Sequence, residues 1–555
     1  MTGLAFEIKR RIRWTRQYLT QPAHGPEWSI RSRRAPVMIG ALIAGLACGY
    51  ALAGDMPDIS TDPVVVQAEV AAFLKQWADR DDLSGKDRKR VEAVTRPTSD
   101  FSKPENFEQM QGGAGTSTKI VSRDAFSHFN QNLSFEEEED FKLGNALFRK
   151  LWVSSPASTK ASDGLGPLFN ARACQSCHLK DGRGHPPEGD SDATSMFLRV
   201  SRTASTDEDI AALENFLLSN HPDPVYGGQL QDLAVPGMKA EGHMQIRYQE
   251  MPVTLGDGTI VNLRKPTYSV TDLAYGPLHP DTTLSPRIAP QMIGMGLIQA
   301  IHPADLLANA DPEDADGDGI SGKLSLVRDE SGNLALGRFG WKAQNLSVRK
   351  QSAGAFSGDI GVSTPDVPTH YGDCTEAEAA CLTMPTGVQA DLGDTEAPDP
   401  ILELVTFYSE NLAVPARRDV DDPEVLAGKQ KFYSLGCASC HAPKFVTSRV
   451  AENSAHRFQL IWPYSDFLLH DMGEGLADGQ RVGAADGQEW RTAPLWGIGL
   501  TETVSDHTFF LHDGRARNLT EAILWHGGEA QAARDGFAGL GADQRVTLIA
   551  FLESL

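Results

Sequence analysis

The chain has 555 residues, with 51 Lys and Arg against 74 Asp and Glu, a formal net charge of −23, and only seven cysteines. That length asks for two to four domains of about 100–200 residues rather than one core. A composition of 41% hydrophobic and 23% charged residues argues against a wholly disordered or fibrous chain, and the acidic balance argues against nucleic acid as a partner, because phosphate binding needs a basic surface.

The charge is uneven. Residues 1–34 hold eight Lys and Arg against Glu7 and Glu27, and the uncharged run APVMIGALIAGLACGYALAG follows at 35–54. A positive flank, an apolar centre and the small-residue ending Ala51-Leu52-Ala53 read as an export signal cleaved after Ala53. The alternative is a retained anchor, since about 18 apolar residues can just span a bilayer. Either way the body of the chain is expected outside the cytoplasm, in the periplasm of a bacterial envelope. Membrane contact is expected only through this segment, and only if it stays uncleaved.

Residues 54–120 read as a helical pre-segment and a linker, with the flexible run GGAGTST at 112–118. Ser134 and Glu137 have capping-box spacing and open a helix whose stripe is Phe141, Leu143, Leu147, Leu151 and Trp152. The stretch 221–400 is rich in Gly, Pro and Asp, with short β-prone pieces such as 259–263, and reads as long loops over a modest scaffold rather than a regular sheet. A second unit starts near 401. Asp422-Pro423 caps a helix with proline at its first position. Asn518 and Glu521 open another helix that Gly527-Gly528 would stop, and Val546, Ile549, Leu552 and Leu555 mark an amphipathic terminal helix. The expected fold is mainly α, two cytochrome c-like domains with long irregular loop insertions. The expected divisions are 1–53, 54–120, 121–400 and 401–555.

Cysteine spacing carries the chemistry. Cys174-Gln175-Ser176-Cys177-His178 and Cys437-Ala438-Ser439-Cys440-His441 are both C-x-x-C-H. Two thiols at this spacing can add to the two vinyl groups of one haem, and the adjacent imidazole then ligates iron from the proximal face. The competing readings are a zinc ion shared by all four thiolates, or redox dithiols. Neither needs a histidine directly after each pair. Two c-type haems are therefore expected, with His178 and His441 proximal. A strong sixth ligand closes the iron for electron transfer, whereas an open position admits peroxide or another oxidant.

Further segments carry a resemblance. DGLGPLFNARACQSCHLKDGRG (163–184), IAPQMIGMGLIQAI (288–301), RFGWKAQ (338–344), FYSENLAVPARR (407–418), GCASCH (436–441) and FLHDGRARNLTEAILWHGGEA (510–530) resemble the di-haem oxidoreductase family. That family is distantly similar to bacterial di-haem cytochrome c peroxidases and to the enzymes that mature methylamine dehydrogenase. The resemblance runs from about 134 to the C-terminus and leaves the first 120 residues outside it. In the peroxidase relatives an H-x-G element precedes the second haem's distal ligand by fourteen residues. Here the element is His512-Asp513-Gly514, and the implied distal ligand is His526, where the peroxidases have Met. Met472, 31 residues after His441, is the competitor. For the first haem His185, His221, His243 and His302 are open alternatives, none of them announced by its surroundings. Gln291 falls near the acid/base position of the peroxidases, but an amide cannot carry a proton at neutral pH and could only orient an oxidant.

Asp314, Asp316 and Asp318, followed by Gly319, have D-x-D-x-D-G spacing, with the Ile320 carbonyl as a further donor. Ser325 stands where an EF-hand has Glu, so a Ca²⁺ here would sit in an incomplete loop. Cys374 and Cys381 are expected to pair as a disulfide in an oxidising compartment. Trp341, Trp490 and Trp496 read chiefly as packing, with an electron relay as the alternative. Taken together, the residues imply an exported oxidoreductase passing electrons from a protein donor through the second haem to the first. A small oxidant is expected to be reduced there. The alternative is a non-catalytic electron carrier of an envelope complex.

Overall fold

Helix starts follow the capping residues. In the computed structural model of the protein, α1 (Pro63–Gln76) begins on Asp62, whose carboxylate accepts the Val64 amide, and α2 (Gly85–Thr95) begins on Ser84. Ser134 and Glu137 close the expected capping box at the head of α3 (Phe135–Phe148). The structure describes residues 62–187 and 194–555, which belong to the unit Asp58–Leu555. The basic leader and the signal or anchor at 35–54 lie outside the described residues. Among the described residues no helix is long and apolar enough to cross a membrane.

The mainly-α expectation is overturned: 32% of the residues are helical and 17% are in strands, spread over several small sheets. The antiparallel partners β1 (Met196–Arg202) and β4 (Thr282–Ile288) flank the longest ribbon, β2 (His243–Thr254) with β3 (Ile260–Thr271). These strands fall inside the stretch read as loops. Met244, Ile246, Met251 and Val253 do supply alternation, but Tyr248-Gln249-Glu250 breaks its phase. Pro252 and Pro266 also argue against a central strand. A two-stranded ribbon has two open edges, where a missing amide proton costs nothing. Its tip and inner face dock on the C-terminal core: Leu255 and Leu263 are buried against Trp525 and Phe537. Arg264 Nε donates to the Arg515 carbonyl at 2.8 Å, and Tyr268 Oη donates to Asp513 at 2.8 Å.

Two helix crossings bring the chain to its cysteine pairs. α3 packs on α5 (Asp399–Glu410), where a Cβ on Gly144 would collide with the Leu404 carbonyl and where Phe141 meets Tyr408 at 4.7 Å. α6 (Pro423–Ser434), capped by Asp422 as expected, crosses α8 (Ala542–Ser554). There Gly428 lies against the Thr547 carbonyl and the Phe432 and Phe551 rings are 5.1 Å apart. Between them in sequence, α4 (Val348–Ile360) packs on α5, and α7 (Leu519–Leu524) begins on Asn518 and ends three residues before Gly527.

Two local expectations are corrected. The terminal helix buries Leu548, Phe551 and Leu552 but exposes 57% of Val546, so its apolar stripe is rotated from the one the spacing predicts. The supposed flexible linker is packed: Gly113, Gly115, Thr116 and Ser117 are buried, and a Cβ on Gly113 would sit 2.8 Å from the Gln459 side chain. Those glycines serve close approach, not freedom of movement.

Candidate functional site

Each cysteine pair opens on its own cleft. The first, with about 1580 Å³ of empty space, is lined by Cys174, Cys177 and His178, and faced by Phe148 from α3 and Phe356 from α4. The pairing of β1 with β4 carries residues 289–293 to its rim: Ala289 N donates to the Ser195 carbonyl at 3.0 Å and its own carbonyl accepts from Gly184 N at 2.8 Å. The second cleft, with about 1900 Å³ of empty space, is lined by Cys437, Cys440 and His441, and by His526, Met472 and His512. Arg183, Gln291, Trp341, Arg491, Ala493 and Pro494 line both, so the clefts share a wall.

Two imidazoles of the second cleft, His441 and His526, are set for a metal, whereas His470 in the same cleft is held charged between Asp466 and Glu529. His441 Nδ1 lies 2.8 Å from the Tyr464 carbonyl, and His526 Nδ1 lies 2.8 Å from the Ala522 carbonyl one turn back on α7. A carbonyl only accepts, so each Nδ1 carries the proton and each Nε2 keeps its lone pair. Burial holds His441 down at about 4 and pushes His526 down as well, which keeps both rings neutral. Met472, the competing ligand, lines the same cleft. His512 stacks on Trp490 at 3.8 Å and leaves its buried Nε2 without a partner.

The carbonyl that orients His441 rests on a buried ion network. Glu108 pairs with Arg417 and, at 2.9 Å, with Lys429, and it accepts from Tyr464 Oη at 3.3 Å; Glu108, Arg417 and Lys429 are each no more than 2% exposed. Glu105 extends the network to Lys429 and Lys444.

In the first cleft burial pushes His178 down to about 4, against the pull of the Pro290 and Gly182 backbone beside the ring; neither makes a hydrogen bond to its buried Nδ1. None of the four alternative histidines lines this cleft. His221 bonds the Asp209 carbonyl, His302 caps a short helix at Ala304, His185 bonds the Pro186 carbonyl, and His243 is exposed on β2. Met292 and Met295 do line it. Gln291 donates through Nε2 to the Trp496 carbonyl at 2.7 Å, which leaves Oε1 buried and unpartnered on the shared wall. Trp341 stands in that wall, Trp490 lines the second cleft, and Trp496 is core.

The cysteine pairs lie in separate clefts and, among the described residues, form no metal-ligating cluster with other His, Cys, Asp or Glu, so no zinc ion can be shared by all four. Burial drives the Cys174 and Cys437 thiols up to about 12, the opposite of an activated redox dithiol. Arg183 and Arg491 are half-buried in the shared wall, pushed down to about 10 by desolvation, and among the described residues neither has a carboxylate in a salt bridge. Apolar faces, two thiols, a bare imidazole nitrogen and unmatched guanidiniums suit a flat iron-porphyrin with acidic side groups. Pattern reasoning missed these arginines because nothing in their neighbours marks them as lining a cleft.

The acidic loop closes differently from its spacing. Ligand atoms of Asp311, Asp314 and Asp316 come within 4.8 Å of one another. Asp318 instead accepts the Ile320 amide at 2.8 Å and, with Ile320, borders the second cleft. Asp311, outside the pattern, takes its place. Cys374 and Cys381 form the expected disulfide.

Two clefts with matched donor sets and a common wall are the layout of a two-centre redox protein. The chain belongs to the di-haem oxidoreductase family: the family model described as "Di-haem oxidoreductase, putative peroxidase" matches residues 106–555. The match starts before the resemblance read from the sequence and takes in the packed run at 112–118. No curated protein matches the chain. Among solved structures it is similar to the Kuenenia stuttgartiensis hydrazine synthase pressurized with xenon, at 12% identity, covering 83% of this chain and 96% of that one with a TM-score of 0.29.

Proposed function

We propose that the protein is an exported di-haem c oxidoreductase that takes electrons from a protein donor at its second centre and reduces peroxide, or an oxidant of that size, at its first. Cys174 with Cys177 and Cys437 with Cys440 would hold haem c through thioethers, and the haems would supply one-electron chemistry at both centres. His441 and His526 both line the second cleft with Nε2 free, a pair that would close an iron there and favour electron transfer. Among the described residues no second imidazole lines the cleft of His178, and that asymmetry carries the reading. Arg183 and Arg491 hold acidic side groups in the shared wall. Gln291 Oε1 accepts a hydrogen bond from a protonated oxidant and orients it, while protons come from elsewhere. Trp341 keeps water out of the wall. A Ca²⁺ in the 311–320 loop would brace the edge of the second cleft.

Location outside the cytoplasm accords with covalent attachment and with the Cys374–Cys381 disulfide. The acidic body calls for a donor with a basic docking face, whose association slows as salt rises. Met292 and Met295 favour a second reading, in which a thioether closes the first iron and the protein only carries electrons.

Spectra decide between them. The enzyme predicts one low-spin centre and one that shifts on adding peroxide or cyanide. His526→Ala turns the low-spin centre high-spin, whereas Met472→Ala leaves it unchanged. Two low-spin centres unmoved by peroxide refute the peroxidase reading. A denatured chain without covalently held porphyrin refutes both.

A further inference from the structure

Besides Gln291, the first cleft holds a cation and a carboxylate that face each other. Arg199 on β1 and Asp359 near the end of α4 both line it. One buried residue positions the two. Gln229, 0% exposed, pairs its backbone with Arg199 in an antiparallel bridge and donates through Nε2 to Asp359 Oδ1 at 2.9 Å. Gln229 N is itself anchored on Asp373 Oδ2 at 3.1 Å. The Asp359 carbonyl accepts from Asn170 N at 2.9 Å and Ala171 N at 3.0 Å, so the same scaffold continues into the segment that carries Cys174.

Both side chains keep hydrogen-bonding atoms for the cleft. The Arg199 guanidinium lies over the Phe197 ring at 5.2 Å, and among the described residues it makes no hydrogen bond and no salt bridge. Asp359 spends Oδ1 on Gln229; Oδ2 has no hydrogen bond among the described residues, yet it is not sealed in protein, so it opens on the cleft. The two charges feel each other without closing into a salt bridge. Opposite charges at low dielectric close to contact unless something holds them. Here the Gln229 side chain fixes the carboxylate, and the bridge at Gln229 fixes the strand that carries the guanidinium.

A guanidinium only donates, and an ionised carboxylate only accepts. A gap between them leaves each short of a partner, and a small molecule that accepts on one side and donates on the other makes up the deficit. A proton-free anion such as nitrite matches the arginine but is repelled by the carboxylate. A hydroperoxide matches both, because its oxygens accept and its O–H donates on adjacent atoms.

We propose that Arg199 and Asp359 are the oxidant-binding pair of the first centre and select a hydroperoxide, Arg199 donating to its oxygens and Asp359 Oδ2 accepting its O–H. This assignment rests on the peroxidase reading and adds to Gln291, an acceptor, the donors that an amide oxygen lacks.

Fluoride, an acceptor without a proton, and hydrogen peroxide separate the two roles in the full-length protein with both haems attached. Fluoride affinity is read from the spectrum of the first centre, and peroxide from the second-order rate of its spectral change. Arg199→Ala is expected to weaken fluoride binding and slow the peroxide response by about tenfold each, the loss of one hydrogen bond from a charged donor. Arg199→Lys is expected to restore part of both. Asp359→Asn is expected to split the probes. Its Oδ1 can keep the Gln229 bond while an amide nitrogen replaces the free oxygen, so peroxide slows about tenfold and fluoride binds at least as tightly as in the parent. A merely structural role would move both probes the same way. Responses equal to the parent's in Arg199→Ala and Asp359→Asn, or a loss of fluoride affinity in Asp359→Asn that matches its loss of peroxide rate, overturn the pair and leave the peroxidase reading standing. A parent whose first centre ignores both probes overturns the two together.

Discussion

Removing the Glu108 carboxylate tests how the second cleft is held in register. Among the described residues Glu108 is the only acidic group paired with Arg417, and it shares Lys429 with Glu105. Glu108→Ala would leave two buried cations facing one remaining carboxylate. Breaking a buried pair from one side costs about 3–5 kcal/mol, because the stranded charge keeps its desolvation penalty. The loss extends to Tyr464, whose hydroxyl bonds Glu108 and whose carbonyl sets the His441 tautomer. We expect the unfolding free energy of Glu108→Ala, read from urea denaturation, to fall by that amount, and the spectrum of the His441 centre to broaden while the other is unchanged. Adding Lys429→Met is expected to return roughly 1–3 kcal/mol, since an apolar replacement removes one stranded charge. The effect is also pH-dependent. Burial pushes Glu108 up, but Arg417 and Lys429 outweigh it and hold the carboxyl below its ordinary range. Its contribution is therefore complete above an unfolded value near 4.5 and fades as pH falls through the lower folded value. A loss under about 1 kcal/mol at neutral pH, or a gap between variant and parent that widens in acid, would refute this reasoning.

Gly428→Ala drives a methyl group into the Thr547 carbonyl at the crossing of α6 and α8. It should cost about 1–3 kcal/mol by overpacking, read as a lowered chemical-denaturation midpoint; an unchanged midpoint would show that the helices can part freely. Glu410 is raised by burial to about 7, with Gln299 Nε2 at 2.8 Å opposing the shift in part. A raised acid favours its neutral form, so the fold loses stability as pH climbs from about 4.5 to 7. Glu410→Gln should remove that slope and gain at most about 3 kcal/mol at pH 7 and above. Equal slopes in variant and parent would disprove the assignment.

How much the sequence disclosed depended on how local each signal was. Cys-x-x-Cys-His, the Ser134 capping box, Asp422-Pro423 and Asn518 act within four residues, and each stands where its pattern puts it. Signals that depend on the rest of the chain misled. The GGAGTST run has the composition of a linker, yet Gln459 and Asn130 close over it. The β2–β3 ribbon was hidden by prolines that only an interior strand would forbid. Val546 shares the period of the terminal helix but not its buried face, which Gly428 and Thr547 fix by steric contact. Asp311 lies ahead of the acidic motif and joins it only through the turn at 311–316. The candidate distal ligands were half legible: spacing named both His526 and Met472, and both line the cleft, while the arginines without a carboxylate needed the tertiary structure.

The ribbon also dictates an order of assembly. Tyr268 and Asp513 lie 245 residues apart, so a nascent chain makes its clasp long before the socket that receives Leu255 and Leu263 exists. Until the last helices arrive, those leucines wait uncovered, and a chain truncated before 510 would have nowhere to put them. Folding therefore ends with an early segment locking onto a late one.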